Sequence, residues 1–204
     1  MQSSSILGLV TSSLIAVTAS ADPRPTTQAC LGDFKTFLTC PSGAKVNGTE
    51  CRGSSGHWSG SSRQGPSLFL RDRSTTDPAK VRVNFAANYV NHKKTGRVFH
   101  FDKDGRLESW TDTDGDRYHG LSVNCRADGR VAHLAYYKQD KVVGISRAWL
   151  EKDGTLSYAM DHDAQGKSIP IANPSAALIQ RPDQLCQPTR CDVTAKPDLS
   201  GVPR

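Results

Sequence analysis

The chain has 204 residues, 36% of them hydrophobic and 23% charged, and its formal net charge is +6 at pH 7. This length predicts one domain with appendages; no apolar run reaches the roughly 18 residues of a membrane-spanning helix, and the patterned apolar segments argue against a wholly disordered chain. The positive charge forms no dense Lys/Arg cluster, so it predicts no specific nucleic-acid partner.

The first predicted element is a secretory signal peptide at residues 1–21. An apolar stretch from Ile6 to Val17 precedes Ala19-Ser20-Ala21, which offers the short side chains that signal peptidase accepts. The basic residues usual at the start of a signal peptide are missing. The alternative, an N-terminal membrane anchor, is disfavoured because the apolar stretch is too short and too rich in Ser and Thr. We therefore expect a periplasmic or secreted protein without a transmembrane span after cleavage.

Six cysteines follow the signal segment, and an even number in an exported chain predicts three structural disulfides. They are Cys30, Cys40, Cys51, Cys125, Cys186 and Cys191. Three of them lie in the first third of the chain, so at least one bridge must leave that cluster. The sequence leaves the pairing open. The absence of a Cys-x-x-Cys pair weakens a zinc site or a thioredoxin-like role.

Residues 22–64 are rich in Ser, Gly, Pro and Thr and contain three of the cysteines. This composition predicts a stapled, loop-rich N-terminal cap that protects the end of a sheet. The turn signals Ser42-Gly43 and Asn47-Gly48 indicate an eroded hairpin within this cap.

A repeat occupies residues 65–167, with its clearest part after residue 95. The opening glycines of three units, Gly96, Gly120 and Gly144, recur every 24 residues. An Asp-Gly pair follows each of them, at Asp104-Gly105, Asp128-Gly129 and Asp153-Gly154, with one extra residue in the last unit. Asp-Gly between alternating runs is typical of a hairpin, because glycine adopts the positive φ that a tight turn requires.

Apolar residues alternate along the first strand of each unit, as in a strand with one buried face. The columns are Phe99 with Val123, Phe101 with Cys125 and Trp149, and Leu121 with Ile145, while Arg97 and Arg147 interrupt them. The return strands are predicted to begin at Leu107, Val131 and Leu156, and a degenerate earlier unit is expected over residues 65–96. The predicted fold is mostly β: tandem antiparallel β-hairpin repeats that form an elongated sheet with disulfide-stapled flanks.

These units resemble MORN-type repeats, in particular the bacterial YwqK-type antitoxin family. The family pattern is a glycine that opens a strand, an aromatic residue about five positions later, an Asp/Asn-Gly turn, an apolar strand and a second polar turn. Residues 136–144, YYKQDKVVG, and residues 115–120, GDRYHG, fit the second half of that pattern. The resemblance implies the repeat architecture and a possible antitoxin-like role, although Cys125 departs from an aromatic column.

Residues 168–204 are predicted to form a C-terminal cap and a flexible tail. A short helix is expected over residues 173–179, with Asn173 or Ser175 as its N-cap, and the tail is expected to begin at Cys191. Cys125 lies in a core column, so we expect it to tie the repeats to a flank.

The sequence contains no convincing catalytic or metal site, and no cofactor is predicted. The acidic run at residues 112–116 is rich in the oxygen ligands that calcium prefers. A calcium-binding loop also needs a bidentate carboxylate a few residues later, and none follows here, so an ordinary turn is favoured. No pair of histidines has the spacing of a metal-binding helix, and Gly53-Ser54-Ser55-Gly56 does not match a nucleophile elbow. Carboxylates such as Glu108, Asp112 and Glu151 leave a paired-carboxylate hydrolase open.

Four apolar side chains are predicted to lie on the non-core face of their strands: Trp110, Tyr118, Leu134 and Tyr136. Exposed aromatic residues along a sheet favour partner binding, unless another layer covers that face. On this reading, alanine at Trp110 and Tyr136 abolishes partner capture with little change in melting temperature.

The predicted function is an exported, non-catalytic repeat protein that binds a protein partner through its sheet, in an antitoxin- or immunity-like manner. An envelope polymer is the other partner class considered. Two alternatives stay open: a secreted enzyme with its site between cap and sheet, and a structural component of the cell envelope.

Overall fold

One open, antiparallel sheet makes up most of the described protein. The structure is a computed structural model that describes residues 24–54, 61–71 and 82–202. Within these residues the strands form a 12-stranded sheet, and consecutive strands pair with each other. The predicted fold class is therefore confirmed. The predicted signal peptide at residues 1–21 and the second half of the Gly53-Ser54-Ser55-Gly56 motif lie outside the described residues.

The strands follow one another across the sheet in chain order. They are β1 (Ala44–Asn47), β2 (Glu50–Ser54), β3 (Ser61–Leu70), β4 (Val83–Val90), β5 (Lys93–Lys94), β6 (Gly96–Phe101), β7 (Leu107–Asp114), β8 (Arg117–Cys125), β9 (Val131–Lys138), β10 (Lys141–Trp149), β11 (Leu156–His162) and β12 (Ser168–Pro170). The short β5 pairs with β4 alone, so β4 also lies beside β6.

The described helices are short and lie in the two flanks. They are α1 (Thr27–Leu31), α2 (Phe34–Phe37), α3 (Ala176–Ile179) and a 3-10 turn (Asp183–Cys186). Helix α3 has Ser175 as its N-cap, one of the two predicted candidates, although no hydrogen bond from the Ser175 side chain caps the helix. Among the described residues, no helix has the length and apolar character needed to cross a bilayer.

The 24-residue repeat is visible in the backbone. The return strands β7, β9 and β11 begin at Leu107, Val131 and Leu156, as predicted. The Asp-Gly turns also form as predicted, and their glycines have φ values of 79°, 75° and 71°. In the last unit the turn hydrogen bond runs from Gly154 N to Leu150 O, one residue longer than its equivalent from Gly129 N to Arg126 O. This longer turn accommodates the extra residue.

Of the three glycines predicted to open a strand, Gly96 does begin β6, whereas the other two do not begin theirs. Gly120 and Gly144 lie inside β8 and β10 rather than at their starts. The chain already reverses at the preceding turns, where Asp116 and the pair Gln139 and Asp140 have positive φ. Gly120 itself has a φ of 116°, and a Cβ there would lie 2.9 Å from the Cβ of Asp112. Position 120 thus requires glycine, because the strand is irregular there and the backbone lies close to the Asp112 side chain.

A second irregularity recurs where each return strand begins. Phe101 pairs with Leu107 whereas His100 pairs with Ser109, so one extra residue enters β7. The same shift occurs at Leu70/Val83, Cys125/Val131 and Trp149/Leu156. Such a β-bulge moves the side-chain alternation by one position. The first and the fourth residue of each return strand therefore point to the same face.

One face of the sheet is covered by both flanks. Its core includes Phe99, Trp110 and Val123 from the strands, together with Leu31 from α1 and Val193 from the C-terminal flank. Residues 171–202, called the C-terminal strap below, follow this face: Arg97 N donates to Val193 O at 3.0 Å, and Trp149 Nε1 donates to Ile179 O at 3.0 Å. We call this the covered face.

Three disulfides fix this arrangement, as the cysteine count predicted. Cys30 pairs with Cys191, Cys40 with Cys51 and Cys125 with Cys186. The first joins the N-terminal cysteine cluster to the strap, and the third ties the repeats to a flank, both as expected. The tail predicted to be flexible after Cys191 instead packs on the sheet, where Val193 is buried and Asp198 N donates to the Asp112 carboxylate.

Candidate functional site

The predicted binding face is in fact the covered face. Trp110 pairs across strands with Phe99 and Val123, and Val123 pairs with Leu134. Directly paired residues of an antiparallel sheet share a face, so Trp110 and Leu134 lie in the core, where each is 2% exposed. The expectation that they form an exposed surface is wrong. Simple alternation counted from Leu107 or Val131 would place Trp110 and Leu134 on the opposite face. The bulge at the start of each strand shifts the count by one residue and puts them in the core.

The other two predicted residues lie on opposite faces. Tyr136 pairs with Leu121 on the covered face, and its hydroxyl lies 3.3 Å from Ser200 Oγ of the strap. Tyr118 is 45% exposed, and its ring meets the Tyr137 ring edge-on at 5.4 Å on the other side of the sheet. Of the four predicted residues, Tyr118 alone belongs to the face that the strap leaves open, which we call the open face.

A continuous row of cross-strand partners crosses the open face. The row, called the ladder below, is Phe69, Phe85, His100, Ser109, Asn124, His133, Ala148 and Tyr158. Every ladder residue is half-exposed or exposed, whereas the corresponding row on the covered face is buried except for the half-exposed Arg147. Phe69 and Phe85 stack at 4.1 Å, and Phe85 lies 5.6 Å from His100. Five of the eight ladder residues carry rings, one each from β3, β4, β6, β9 and β11.

A shallow groove runs beside the central part of the ladder. Its floor is made of small side chains, including Thr111 and Ser122, whose hydroxyls lie 2.8 Å apart. Tyr118 and Tyr137 form the opposite wall. His133 and Tyr137 are four residues apart on β9, which separates the two walls by roughly 13 Å. The concavity has a volume of about 430 Å³. The groove thus lies across the strands, with rings on both sides and hydroxyl groups below.

Burial favours the uncharged forms of three titratable side chains that line the groove, those of His100, His133 and Tyr137. Desolvation lowers the pKa of His100, and the nearby Lys94 lowers it further while Glu108 opposes the change. Desolvation also lowers the pKa of His133, with a smaller effect from His162. Both imidazoles are therefore uncharged at neutral pH. Burial raises the pKa of Tyr137, so its hydroxyl remains a neutral hydrogen-bond donor.

A buried carboxylate lies on the covered face and anchors the strap. Asp112 is fully buried, and its Oδ1 accepts a 2.8 Å hydrogen bond from Arg97 Nε. Its Oδ2 accepts hydrogen bonds from Asp198 N at 2.9 Å and from Leu121 N at 3.3 Å. The Arg97 guanidinium also lies over the Trp110 ring at 3.7 Å. Asp112 therefore joins two strands to the strap and has no free oxygen for a substrate.

The turn favoured from the sequence for the acidic run at residues 112–116 forms only at its end, since residues 112–114 belong to β7 and residues 115–116 make the turn into β8. Asp112 points into the covered face, whereas Asp116 lies in the turn before β8 and accepts a hydrogen bond from Lys94 N at 2.9 Å. These two carboxylates thus have separate protein partners. Within the described ranges, no group of three or more His, Cys, Asp or Glu side chains is arranged to hold a metal ion.

A second concavity lies between the strap and the sheet, where the enzyme alternative would place a site. Its lining includes Tyr136, Arg147, Asp161 and Leu178. Arg147 Nη1 already donates to Leu178 O at 3.2 Å, and burial lowers the pKa of its guanidinium. Arg147 is therefore part of a strap contact rather than one half of a recognisable acid–base pair with Asp161.

One serine–histidine contact lies near the end of the open face. His162 Nε2 is 2.7 Å from Ser146 Oγ, and His162 Nδ1 is 2.9 Å from Ser168 Oγ. This order resembles a nucleophile, a base and an orienting group. Ser146 is 4% exposed, however, so the contact ties β10, β11 and β12 together and leaves the hydroxyl little room for a substrate.

Comparison with known proteins does not assign the chain to a family. No protein-family model and no curated protein matches the chain. The open face was missed in the sequence because its residues are chemically mixed and because the bulges shift them out of simple alternation. The signal that could have found it is the 24-residue spacing of Phe85, Ser109 and His133, which follows the repeat.

Proposed function

We propose that this chain is an exported, non-catalytic binding protein whose ligand lies in the groove of the open face. The observation that carries the proposal is the contrast between the two faces. The strap and both flanks bury one face, while a ladder of eight half-exposed or exposed residues crosses the other. Extended sheet surfaces of repeat proteins are common binding surfaces.

Export is supported by the cysteines. All six are paired, and none is a free thiol, which is the usage expected of an oxidising compartment. The apolar N-terminal stretch and its Ala19-Ser20-Ala21 site support the same proposal.

Binding rather than catalysis is supported by the distribution of polar groups. Thr111 and Ser122 hydrogen-bond to each other at 2.8 Å, and the other polar groups of the lining, Ser109 and Asn124, lie two residues away along the same strands. Extended spacing suits a ligand held by many weak contacts, whereas a catalytic centre requires a nucleophile, a base and an oxyanion donor around one atom.

The proposal is tested by co-sedimentation of the purified, oxidised protein with the insoluble cell-envelope fraction of the producing organism. The double variant Tyr118→Ala/Tyr158→Ala removes two rings that are 45% and 40% exposed on the open face. Because aromatic residues contribute strongly to recognition surfaces, we expect retention to fall about tenfold or more.

The matched control is Leu150→Ala/Leu199→Ala. These leucines are 40% and 44% exposed, and neither belongs to the ladder or lines the groove. This double variant is expected to be retained like the unaltered protein. Equal retention of the two double variants, or no retention of the unaltered protein, would contradict the proposal.

A further inference from the structure

Equivalent side-chain positions recur at a regular distance along the ladder beside the groove. Each 24-residue unit adds two strands, and neighbouring strands are about 4.8 Å apart, so the ladder advances by about 9.6 Å per unit. Equivalent return-strand positions in successive units are Phe85, Ser109, His133 and Tyr158. Three of these four carry rings. Ser109 interrupts the row, and the repeat interval itself is close to the length of two β-1,4-linked sugar residues.

The groups in the groove match the two kinds of surface on a sugar. A pyranose ring has an apolar C–H face that packs on an aromatic ring, and it has hydroxyls around its edge. The rings of Tyr118 and Tyr137 in the groove, and the ring of Tyr158 next to His133 on the ladder, supply apolar surface with a polar tip. The hydroxyls of Ser109 and Ser122 and the Asn124 amide can donate and accept hydrogen bonds.

The charge of the groove narrows the ligand class. Among the described lining residues, Glu108 is the charged side chain, and the two histidines are His100 and His133. Desolvation lowers the pKa of both histidines, so they supply no positive charge at neutral pH. The lining that the structure describes lacks the cationic side chains that an anionic polymer would require, in spite of the basic overall charge.

We propose that the groove binds a neutral, β-linked polysaccharide that lies across the strands, with one disaccharide for each repeat unit. This proposal rests on the proposed binding function and names its ligand. A polymer that repeats every two sugar residues fits positions that recur about every 9.6 Å, and the charge of the described lining, which is Glu108 alone, favours a neutral polymer.

The proposal is tested by isothermal titration calorimetry with two neutral probes, cellohexaose and chitohexaose. We expect at least one of them to bind the oxidised protein. An oligogalacturonate of the same length tests the charge argument, and it should bind more weakly because Glu108 is the charged group in the groove.

Three variants locate the site. Tyr158→Ala should weaken binding about five- to tenfold, whereas Tyr158→Phe, which keeps the ring, should bind nearly as well as the unaltered protein. Asn124→Ala should weaken binding by a similar factor through loss of its amide. Leu150→Ala, as exposed as Tyr158, should bind normally. Circular dichroism and melting temperature verify that each variant is folded.

The outcomes separate this proposal from the binding function. If neither hexasaccharide binds but Tyr118→Ala/Tyr158→Ala still abolishes envelope retention, the polysaccharide is wrong and another ligand class, such as a protein, occupies the groove. Binding that is unchanged in Tyr158→Ala and Asn124→Ala would place the sugar elsewhere and also overturn the proposal. If envelope retention is insensitive to the open face as well, both proposals fail.

Discussion

Replacing Trp110 with alanine is expected to lower the free energy of unfolding by about 3–5 kcal/mol, the usual cost of removing a large buried aromatic side chain. Trp110 is 2% exposed, and its Nε1 donates to Leu185 O at 2.8 Å. The variant loses the ring that fills the space between sheet and strap. It also leaves a strap carbonyl without its donor and removes the stacking surface of Arg97.

The matched variant is Tyr118→Ala, which also removes an aromatic ring from a strand of the same sheet. Tyr118 is 45% exposed and packs edge-on against Tyr137, so the loss should stay below about 1.5 kcal/mol. Urea unfolding of the oxidised proteins measures both values. Equal losses for the two variants, or a larger loss for Tyr118→Ala, would mean that the assignment of covered and open faces is reversed.

Replacing Asp112 with asparagine is expected to cost about 3 kcal/mol, in spite of the nearly identical shape of the side chains. The Asp112 carboxylate accepts hydrogen bonds from Arg97, Asp198 N and Leu121 N. An asparagine amide has one acceptor oxygen, so in either orientation its NH₂ group faces a donor. Arg97 also loses its counter-charge in a partly buried position.

The strap should respond locally to this change. Asp198 N is bound directly by the Asp112 carboxylate, so its amide should exchange with deuterium much faster in Asp112→Asn. Asp114→Asn is the control, since Asp114 is an exposed aspartate on the same strand, and its stability should change by less than about 0.5 kcal/mol. If Asp112→Asn melts like Asp114→Asn with the Asp198 amide still protected, Asp112 does not anchor the strap.

Local signals in the sequence were sufficient for the repeat. The 24-residue spacing and the Asp-Gly turns predicted hairpins whose return strands begin at Leu107, Val131 and Leu156, and the structure confirms all three starts. Turn chemistry acts over a few residues, so a single sequence contains it. The link from Cys125 to a flank was also predictable, because one cysteine sat in an otherwise apolar column.

The assignment of faces was not predictable in the same way. One extra residue at the start of β7 puts both Leu107 and Trp110 in the core, and simple alternation would put them on opposite faces. No residue in this segment marks the bulge, because the first and second positions of the strand are an ordinary Leu and Glu. The candidate binding surface therefore moved to the other side of the sheet.

The path of the strap depended on contacts distant in the sequence. The segment after Cys191 has the composition of a mobile tail, yet Val193 and Asp198 bond to Arg97 and Asp112 about a hundred residues away. Such contacts form because the Cys30–Cys191 and Cys125–Cys186 bridges hold the strap against the sheet. Fifteen pairings were possible from six cysteines, so the sequence did not indicate this cover.

We infer that a ligand occupies the open face while the strap covers the other one. Hydroxyl-radical footprinting with tandem mass spectrometry tests it through two adjacent residues, Tyr136 beneath the strap and Tyr137 in the groove. With the envelope fraction bound, oxidation of Tyr118, Tyr137 and Tyr158 should fall while that of Tyr136 stays unchanged. Protection of Tyr136 and the strap, with Tyr137 and Tyr158 still oxidised, would contradict the claim.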